Sequence, residues 1–207
     1  MEYNNIFPHK ESIHMKFYPG PKIVGFSPLL FCWFLLISPL LVRSQPANPP
    51  LKILLIRHAE KPLIGENLSC KGVNRSLALP GVLVAKFGIP NFTYVPSIGK
   101  GTATKHSRMM QTITPMASKY NLTINSKYSK NDAKGIAADI LTKKGTVLVV
   151  WVHSLIPSLA EAFGVKNSIA KWDSDDYDSI WIITFPKGIA SISKDRESIT
   201  PSQKCPY

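Results

Sequence analysis

The chain has 207 residues, with 25 Lys and Arg against 13 Asp and Glu, which gives a formal net charge of +12 at pH 7. Most of the cations are lysines scattered along the chain, and no stripe of interleaved basic and aromatic residues accompanies them. This pattern argues against a nucleic-acid-binding protein. It leaves a basic field that attracts anionic partners.

The first 44 residues are expected to form an export signal outside the folded domain. Residues 1–22 contain more basic than acidic side chains and show no hydrophobic period, and residues 23–42 form an uncharged apolar run. A basic segment, an apolar segment and a small residue after it are typical of a signal peptide. The run is also long enough to span a bilayer, so an uncleaved signal anchor stays open. Pro28 and Pro39 favour cleavage because they weaken a straight helix.

Domain organisation and localisation follow from this division. Residues 45–50 are Pro- and Asn-rich and are expected to be a linker, and residues 51–207 are long enough for one domain with a sizeable core. We expect an exported protein, periplasmic or secreted, or one anchored to the membrane by residues 23–42. Contact with a membrane is expected only if that segment is not cleaved.

Strands are predicted to alternate with helices along the domain. In chain order we expect a strand over 51–56, a helix within 71–88 closed by Gly88, a strand over 92–95, a helix over 108–120, a strand over 122–124, a helix over 132–142, a strand over 147–153, a helix over 156–163, and strands over 179–185 and 189–192. Pro80 predicts a kink or a late start in the first helix, and Pro115 predicts an interruption of the second. The alternation indicates an α/β domain with a mainly parallel sheet.

Two apolar strands end in similar polar residues. The run over 51–56 ends at Arg57 and His58, and the run VLVVWV ends at His153. Parallel strands of one sheet bring their carboxyl ends to the same edge, where ligands bind in open α/β folds. A polar loop without a catalytic role is the simpler interpretation of either dipeptide alone. The repeated pattern favours a site that contains both imidazoles.

Four segments in this order make the chain resemble the histidine phosphatase superfamily, which has the phosphoglycerate-mutase-like fold. They are RHAEK at 57–61, LSCKGVNRSLAL at 68–79, SRMMQTITPMA at 107–117 and VLVVWVHSLIPSLAEAFG at 147–164. The resemblance covers residues 51 to about 185 and is strongest to small exported members with an RHAEK opening. It implies a three-layer fold with helices on both faces of a mainly parallel sheet.

The resemblance also implies roles for four residues. His58 is expected to be the nucleophile that attacks phosphorus and forms a phosphohistidine. Arg57, Arg108 and His153 are expected to hold the phosphoryl oxygens, for which a guanidinium is well shaped. These cations replace a metal ion, so no metal and no other cofactor is expected. The implied substrate is a phosphorylated small molecule or a phosphoprotein.

Other candidates complete the expected site. Glu60 and Asp132 are the candidate general acids, and Lys61 and Ser154 are the candidate additional substrate-binding residues, although a solvated Lys61 is an equal alternative. Relatives often carry a carboxylate directly before the second histidine, where this chain has Val152. For Arg75, Gln111 and Thr112 we expect structural roles, in a salt bridge or packing for the first and in positioning the Arg108 helix for the other two.

Several alternatives stay open at this point. The expected function is a metal-independent phosphomonoesterase that acts through His58. The first alternative is a catalytically weak or inactive phospho-ligand-binding domain of the same fold, and the second is a two-histidine metallohydrolase. Cys70 and Cys205 are expected either to pair or to remain free thiols, because spacing alone does not give the distance between them.

Overall fold

The computed structural model describes Gly20 and residues 49–99, 105–166 and 171–207. The predicted signal segment lies outside the described residues, apart from Gly20. The fold belongs to a compact unit that spans Gln45–Tyr207. Among the described residues, no helix has both the length and the apolar character needed to cross a membrane.

The described residues of this unit form six strands and four α-helices. In chain order they are β1 (Lys52–Arg57), α1 (Cys70–Phe87), β2 (Phe92–Tyr94), α2 (Ser107–Tyr120), β3 (Ile124–Asn125), α3 (Ala133–Ile140), β4 (Thr146–Trp151), α4 (Ile156–Ala162), β5 (Ser179–Thr184) and β6 (Ser191–Arg196). A 3₁₀ turn over His153–Leu155 joins β4 to α4, and another covers Pro186–Gly188.

The strands form one sheet in the order β3-β2-β4-β1-β5-β6. β1 pairs with β4 in parallel, and β4, β2 and β3 continue the parallel part. β5 pairs antiparallel with both β1 and β6, so it alone among these six strands runs in the opposite direction. The mainly parallel sheet predicted from the alternation is therefore confirmed.

Both faces of the sheet are covered by helices, which explains why β1 and β4 are apolar at nearly every position. One face packs Ile53 and Leu55 against α3 and α4, and the other packs Leu54 and Ile56 against α1 and α2. Successive side chains of a strand point to opposite faces, so a strand covered on both sides needs apolar residues throughout. The predicted three-layer arrangement is confirmed.

A late start of the first helix and an interruption of the second, both predicted from prolines, are wrong. α1 begins at Cys70, well before Pro80, and α2 continues through Pro115 without interruption. Each proline removes one backbone donor from its helix, and burial of the apolar faces of α1 and α2 against the sheet and each other offsets that loss. Three predicted strands also have other boundaries: β3 begins at Ile124, β4 ends at Trp151 and leaves His153 in the following 3₁₀ turn, and β6 covers Ser191–Arg196 in place of 189–192.

The start of α1 is joined both to the loop after β1 and to the C-terminal tail. Ser69 caps the helix by accepting from the Gly72 amide (3.2 Å), and its own amide donates to the carbonyl of Glu60 (3.0 Å). Cys70 forms a disulfide with Cys205, with the two Cα atoms 4.5 Å apart. The pairing that the sequence left open is therefore present, and it attaches the tail beside the loop that follows His58.

Candidate active site

The two predicted histidines lie at adjacent strand ends. β1 and β4 are parallel neighbours in which Arg57 is opposite Trp151. The His58 amide donates to the Trp151 carbonyl (3.1 Å), so the ladder continues one residue beyond β1. His153 opens the 3₁₀ turn two residues after Trp151. The carboxyl edge of the sheet therefore brings His58 and His153 together.

His58 is held as a neutral imidazole of one tautomer. Its side chain is buried, and Nδ1 donates to the Ala59 carbonyl (2.7 Å), since a carbonyl oxygen can only accept. The lone pair of the neutral ring is then on Nε2. Burial lowers the pKa of His58 to about 4, and the positive charges of Arg57 and Arg108 act in the same direction. The imidazole is therefore available as a nucleophile down to acidic pH.

Arg57 is fixed by neutral groups. Nη1 donates to the carbonyls of Ser174 (2.6 Å) and Asp176 (3.1 Å), and the guanidinium carbon lies 3.7 Å from the centre of the Tyr177 ring. The same ring meets the His58 imidazole edge-on, with 6.3 Å between centroids. Carbonyls and an aromatic face orient the guanidinium without cancelling its charge.

Arg108 is oriented in a similar way from the other side. Nε donates to the Asn67 carbonyl (3.3 Å), and Nη2 donates to the Gly65 carbonyl. The carboxylate of Glu66 is 3.9 Å from Nη2 and is largely exposed to solvent. Because an exposed ion pair at that distance is weak, most of the positive charge of Arg108 stays uncompensated.

Buried nitrogen atoms without hydrogen-bond partners coincide with two of the predicted phosphate-binding residues. Among the described residues, the buried side-chain nitrogen and oxygen atoms that lack a hydrogen-bond partner are Arg57 Nε and His153 Nδ1. Burial lowers the pKa of His153, and the charges of Arg57 and Lys61 act in the same direction. A buried polar atom without a partner is costly and rare in proteins, so such a pair calls for an explanation.

One threonine connects the nucleophile loop to the helix that carries Arg108. The Ala59 amide donates to Thr112 Oγ1 (2.9 Å), and the same hydroxyl donates to the Arg108 carbonyl (2.8 Å). Gln111 lies beside it on α2 and accepts from the Leu68 amide (2.9 Å). These contacts agree with the positioning roles expected for Thr112 and Gln111.

His58 and Arg108 line a cavity of about 200 Å³ with residues that, apart from Val152, the sequence alone does not single out. Its other lining residues are Glu66, His106, Met109, Lys130 and Val152. They come from four separate segments: the β1–α1 loop, the start of α2, the β3–α3 loop and the position directly after β4. The sequence does not show that residues from such distant segments line one cavity. His106 is the exception, because its position two residues before Arg108 is a weak indication that it lies near the site.

The structure gives both candidate general acids other roles. The carboxylate of Glu60 accepts from Arg75 Nε (3.0 Å) and Nη2 (3.1 Å) in a buried pair. Arg75 also donates through Nη1 to Glu197 (2.6 Å), which confirms the salt bridge expected for this residue. Asp132 caps α3 by accepting from the Gly135 amide (2.8 Å). Of the carboxylates in the part of the chain described, Glu66 is the one that lines the cavity of His58.

The two additional candidates lie at the margin of the site. Lys61 is exposed, and its charge contributes to the lowered pKa of His153, so it is close enough to act on an anion held there. Ser154 is exposed in the 3₁₀ turn that precedes α4. Over the described ranges, no group of three or more His, Cys, Asp or Glu side chains is placed to bind a metal ion.

Comparison of the sequence with protein-family models finds no match. Comparison with curated proteins finds none either. Comparison of the fold with solved structures does give matches, among them the protein histidine phosphatase SixA complexed with tungstate. That structure has a TM-score of 0.53 and 16% sequence identity, and the match covers 70% of this chain and 97% of the other. The chain therefore has the phosphoglycerate-mutase-like fold of the histidine phosphatases, as the resemblance implies.

Two further solved structures match with lower scores. A mycobacterial glucosyl-3-phosphoglycerate phosphatase in complex with inorganic phosphate has a TM-score of 0.48 and 13% identity, and the match covers 70% of this chain and 95% of that one. A phosphoserine phosphatase mutant from Entamoeba histolytica in complex with phosphoserine has a TM-score of 0.44 and 11% identity, with 72% and 97% covered.

Proposed function

We propose that this protein is a metal-independent phosphomonoesterase in which His58 forms a phosphohistidine intermediate. Its substrates are phosphorylated small molecules or phosphoproteins. The observation that carries the proposal is the pair of buried, unpartnered nitrogens, Arg57 Nε and His153 Nδ1, beside an imidazole whose tautomer is set for attack. A phosphoryl group offers oxygen acceptors to the guanidinium N–H and to the Nδ1–H tautomer of His153, and this accounts for the burial of both nitrogens without protein partners.

The electrostatics of the site suit phosphoryl transfer. Arg57 and Arg108 are bound mainly through carbonyls, so their charges remain available to a phosphate dianion. Cations placed in advance at the transferring group stabilise the charge that develops in the transition state. This arrangement supports catalysis without a metal ion, because the two guanidinium groups provide the positive charge that a metal otherwise supplies.

The reaction has two steps on one nitrogen. In the first, Nε2 of His58 attacks phosphorus in line, the bond from phosphorus to the ester oxygen breaks, and the leaving alcohol takes up a proton. In the second, water attacks phosphorus, the bond from phosphorus to Nε2 breaks, and inorganic phosphate forms. The Nδ1–H bond to Ala59 keeps Nε2 as the reacting nitrogen throughout.

The test is hydrolysis of p-nitrophenyl phosphate in excess chelator by the wild type and by His58→Ala. We expect turnover that survives chelation and is lost in the variant, together with a phosphohistidine that can be trapped by acid quench in the wild type only. Asn74→Ala is the matched control, since Asn74 bonds to the tail carbonyls of Ser202 and Lys204 on the outer side of α1. It should leave the rate unchanged.

The binding-domain alternative gives a different result in the same assay. Vanadate or phosphate binding that depends on Arg57 and Arg108, without turnover of the aryl phosphate, would support a phospho-ligand-binding domain. Loss of activity on chelation followed by rescue with a divalent metal would support a two-histidine metallohydrolase. Either result contradicts the proposed function.

A further inference from the structure

The proposed reaction requires a proton for the leaving-group oxygen, and the two carboxylates suggested by the sequence are bonded elsewhere. Glu60 is paired with Arg75 in a buried contact, and Asp132 caps α3. The donor must come from the residues around the open side of His58, because the ester oxygen leaves on the face opposite the attacking nitrogen. Those residues are the ones that line the cavity of about 200 Å³.

His106 is placed in this cavity at a backbone position that serves no capping function. It precedes α2 in the left-handed conformation (φ 58°, ψ 25°), and its side chain makes no capping hydrogen bond to the helix. A left-handed residue other than glycine carries a conformational cost, and such residues cluster at functional sites. The half-buried imidazole lines the same cavity as His58.

The charged groups around His106 make the protonation of its imidazole sensitive to a bound anion. Burial lowers its pKa, the charges of Lys130, Lys105 and Arg108 act in the same direction, and Glu66 opposes them. These groups come from the β3–α3 loop, the segment before α2, α2 itself and the β1–α1 loop. A bound phosphate dianion offsets the three cations, so it favours the protonated imidazole when substrate is present.

Glu66 is the competing donor in the cavity. Its side chain is 61% exposed and its carboxylate lies 3.9 Å from the guanidinium of Arg108, whereas the imidazole of His106 is half-buried. An imidazole next to the leaving group can hold a proton at mildly acidic pH and release it in the transition state. Of the two groups, His106 therefore has the chemistry that the step requires.

We propose that His106 is the general acid that protonates the leaving-group oxygen, and then the general base that activates water. In the first step its imidazolium proton passes to the ester oxygen as the bond from phosphorus breaks. In the second step the neutral imidazole takes a proton from the attacking water, which restores the imidazolium. The proposal rests on the proposed function, since it assigns a role within that reaction.

Leaving groups of different basicity provide the test. Removal of a general acid slows the hydrolysis of esters of basic alcohols and has little effect on esters whose leaving group is already a stable anion. We expect His106→Asn to lower kcat/KM for glycerol phosphate by about 10²-fold or more. kcat/KM for p-nitrophenyl phosphate should change by less than about threefold, because this leaving group needs no proton and kcat/KM does not include the later hydrolysis of the phosphohistidine. Asn is chosen because it adopts the left-handed conformation readily.

The pH profile supplies a second readout that a structural role does not alter. In the wild type, kcat/KM for glycerol phosphate should rise as His58 loses its proton at about pH 4 and fall at higher pH as His106 loses its own. The falling limb should disappear in His106→Asn, and the rising limb should remain. His106→Gln repeats the measurement in case the first variant folds poorly.

Several outcomes would contradict the role of His106 as the general acid. Equal losses for both substrates in His106→Asn, or no loss for either, overturn the assignment. The substrate-dependent loss appearing in Glu66→Gln in place of His106→Asn also overturns it and makes Glu66 the donor. If the wild type does not hydrolyse p-nitrophenyl phosphate through His58, the proposed function itself fails, and that result is separate from these.

Discussion

Two arginines close to the end of β1 are both buried, yet they are bound in opposite ways. Arg57 donates to the neutral carbonyls of Ser174 and Asp176 and keeps a buried nitrogen without a partner. Arg75 is surrounded by the carboxylates of Glu60 and Glu197. The first arrangement leaves the charge available for an external anion, whereas the second neutralises it inside the protein.

This difference separates a binding role from a structural one more clearly than burial does. Burial alone makes both arginines appear equally important, since each is at most 5% exposed. The chemistry of the partner distinguishes them, because a carbonyl orients a guanidinium and a carboxylate also cancels its charge. Substitutions at the two positions should therefore affect different measurements.

The largest effect is expected for Arg75→Met, in stability. Removal of the guanidinium leaves the buried carboxylates of Glu60 and Glu197 without their main partner and should cost about 3–5 kcal/mol in the free energy of unfolding, while Asp178 keeps its ion pair with Arg196. The measurement is urea denaturation at neutral pH. A variant as stable as the wild type would mean that the cluster does not hold α1 against the ends of β5 and β6.

Arg57→Met should affect activity strongly and stability only slightly, the reverse of Arg75→Met. We expect kcat for p-nitrophenyl phosphate to fall by about 10²–10³-fold, because one preorganised cation is lost from the transferring phosphoryl group. The free energy of unfolding should fall by only about 1–2 kcal/mol, since the groups left behind are neutral carbonyls. A large loss of stability with little change in rate would place Arg57 in the same structural class as Arg75.

A smaller effect on both measurements is expected for Thr112→Val. The buried Ala59 amide loses its acceptor, which should cost about 1–3 kcal/mol. Activity should fall roughly tenfold, since the His58 loop and the Arg108 helix lose their common contact. Thr114→Val is the matched control on α2: its hydroxyl makes the same type of bond, to the Met110 carbonyl (2.7 Å), on the exposed side. Equal effects of the two substitutions would show that the Ala59 contact is unimportant.

Much of the architecture could be predicted because it depends on local pattern. Continuous apolar runs predicted β1 and β4 as buried parallel strands, and Gly88 marked the end of α1. The prolines misled the prediction, since helix propensity is a local effect that burial of a helix face can override. The edge strands β3 and β6 were displaced by a few residues because their limits depend on their partners in the sheet.

In the predicted site, too, local pattern predicted some features, whereas others depend on residues distant in the chain. His58 and His153 could be expected at one edge because parallel strands align their carboxyl ends. Glu60 follows His58 by two residues and was a candidate proton donor, yet its carboxylate is bonded to Arg75. Which partner a buried carboxylate finds depends on groups distant in the chain, and sequence spacing does not record them.

The sequence by itself determined the order of strands and helices, the two strand ends that carry His58 and His153, and the arginines that accompany them. The strands, helices and strand ends follow from side-chain hydrophobicity and from the regular geometry of a parallel sheet, whereas the place of Arg108 beside them is what the resemblance to histidine phosphatases implies. Only the tertiary structure decided which arginine is available to an external anion, which tautomer His58 adopts and which residues share its cavity. Those properties depend on hydrogen-bond partners and electrostatic neighbours from segments far apart in the chain, which only folding brings together.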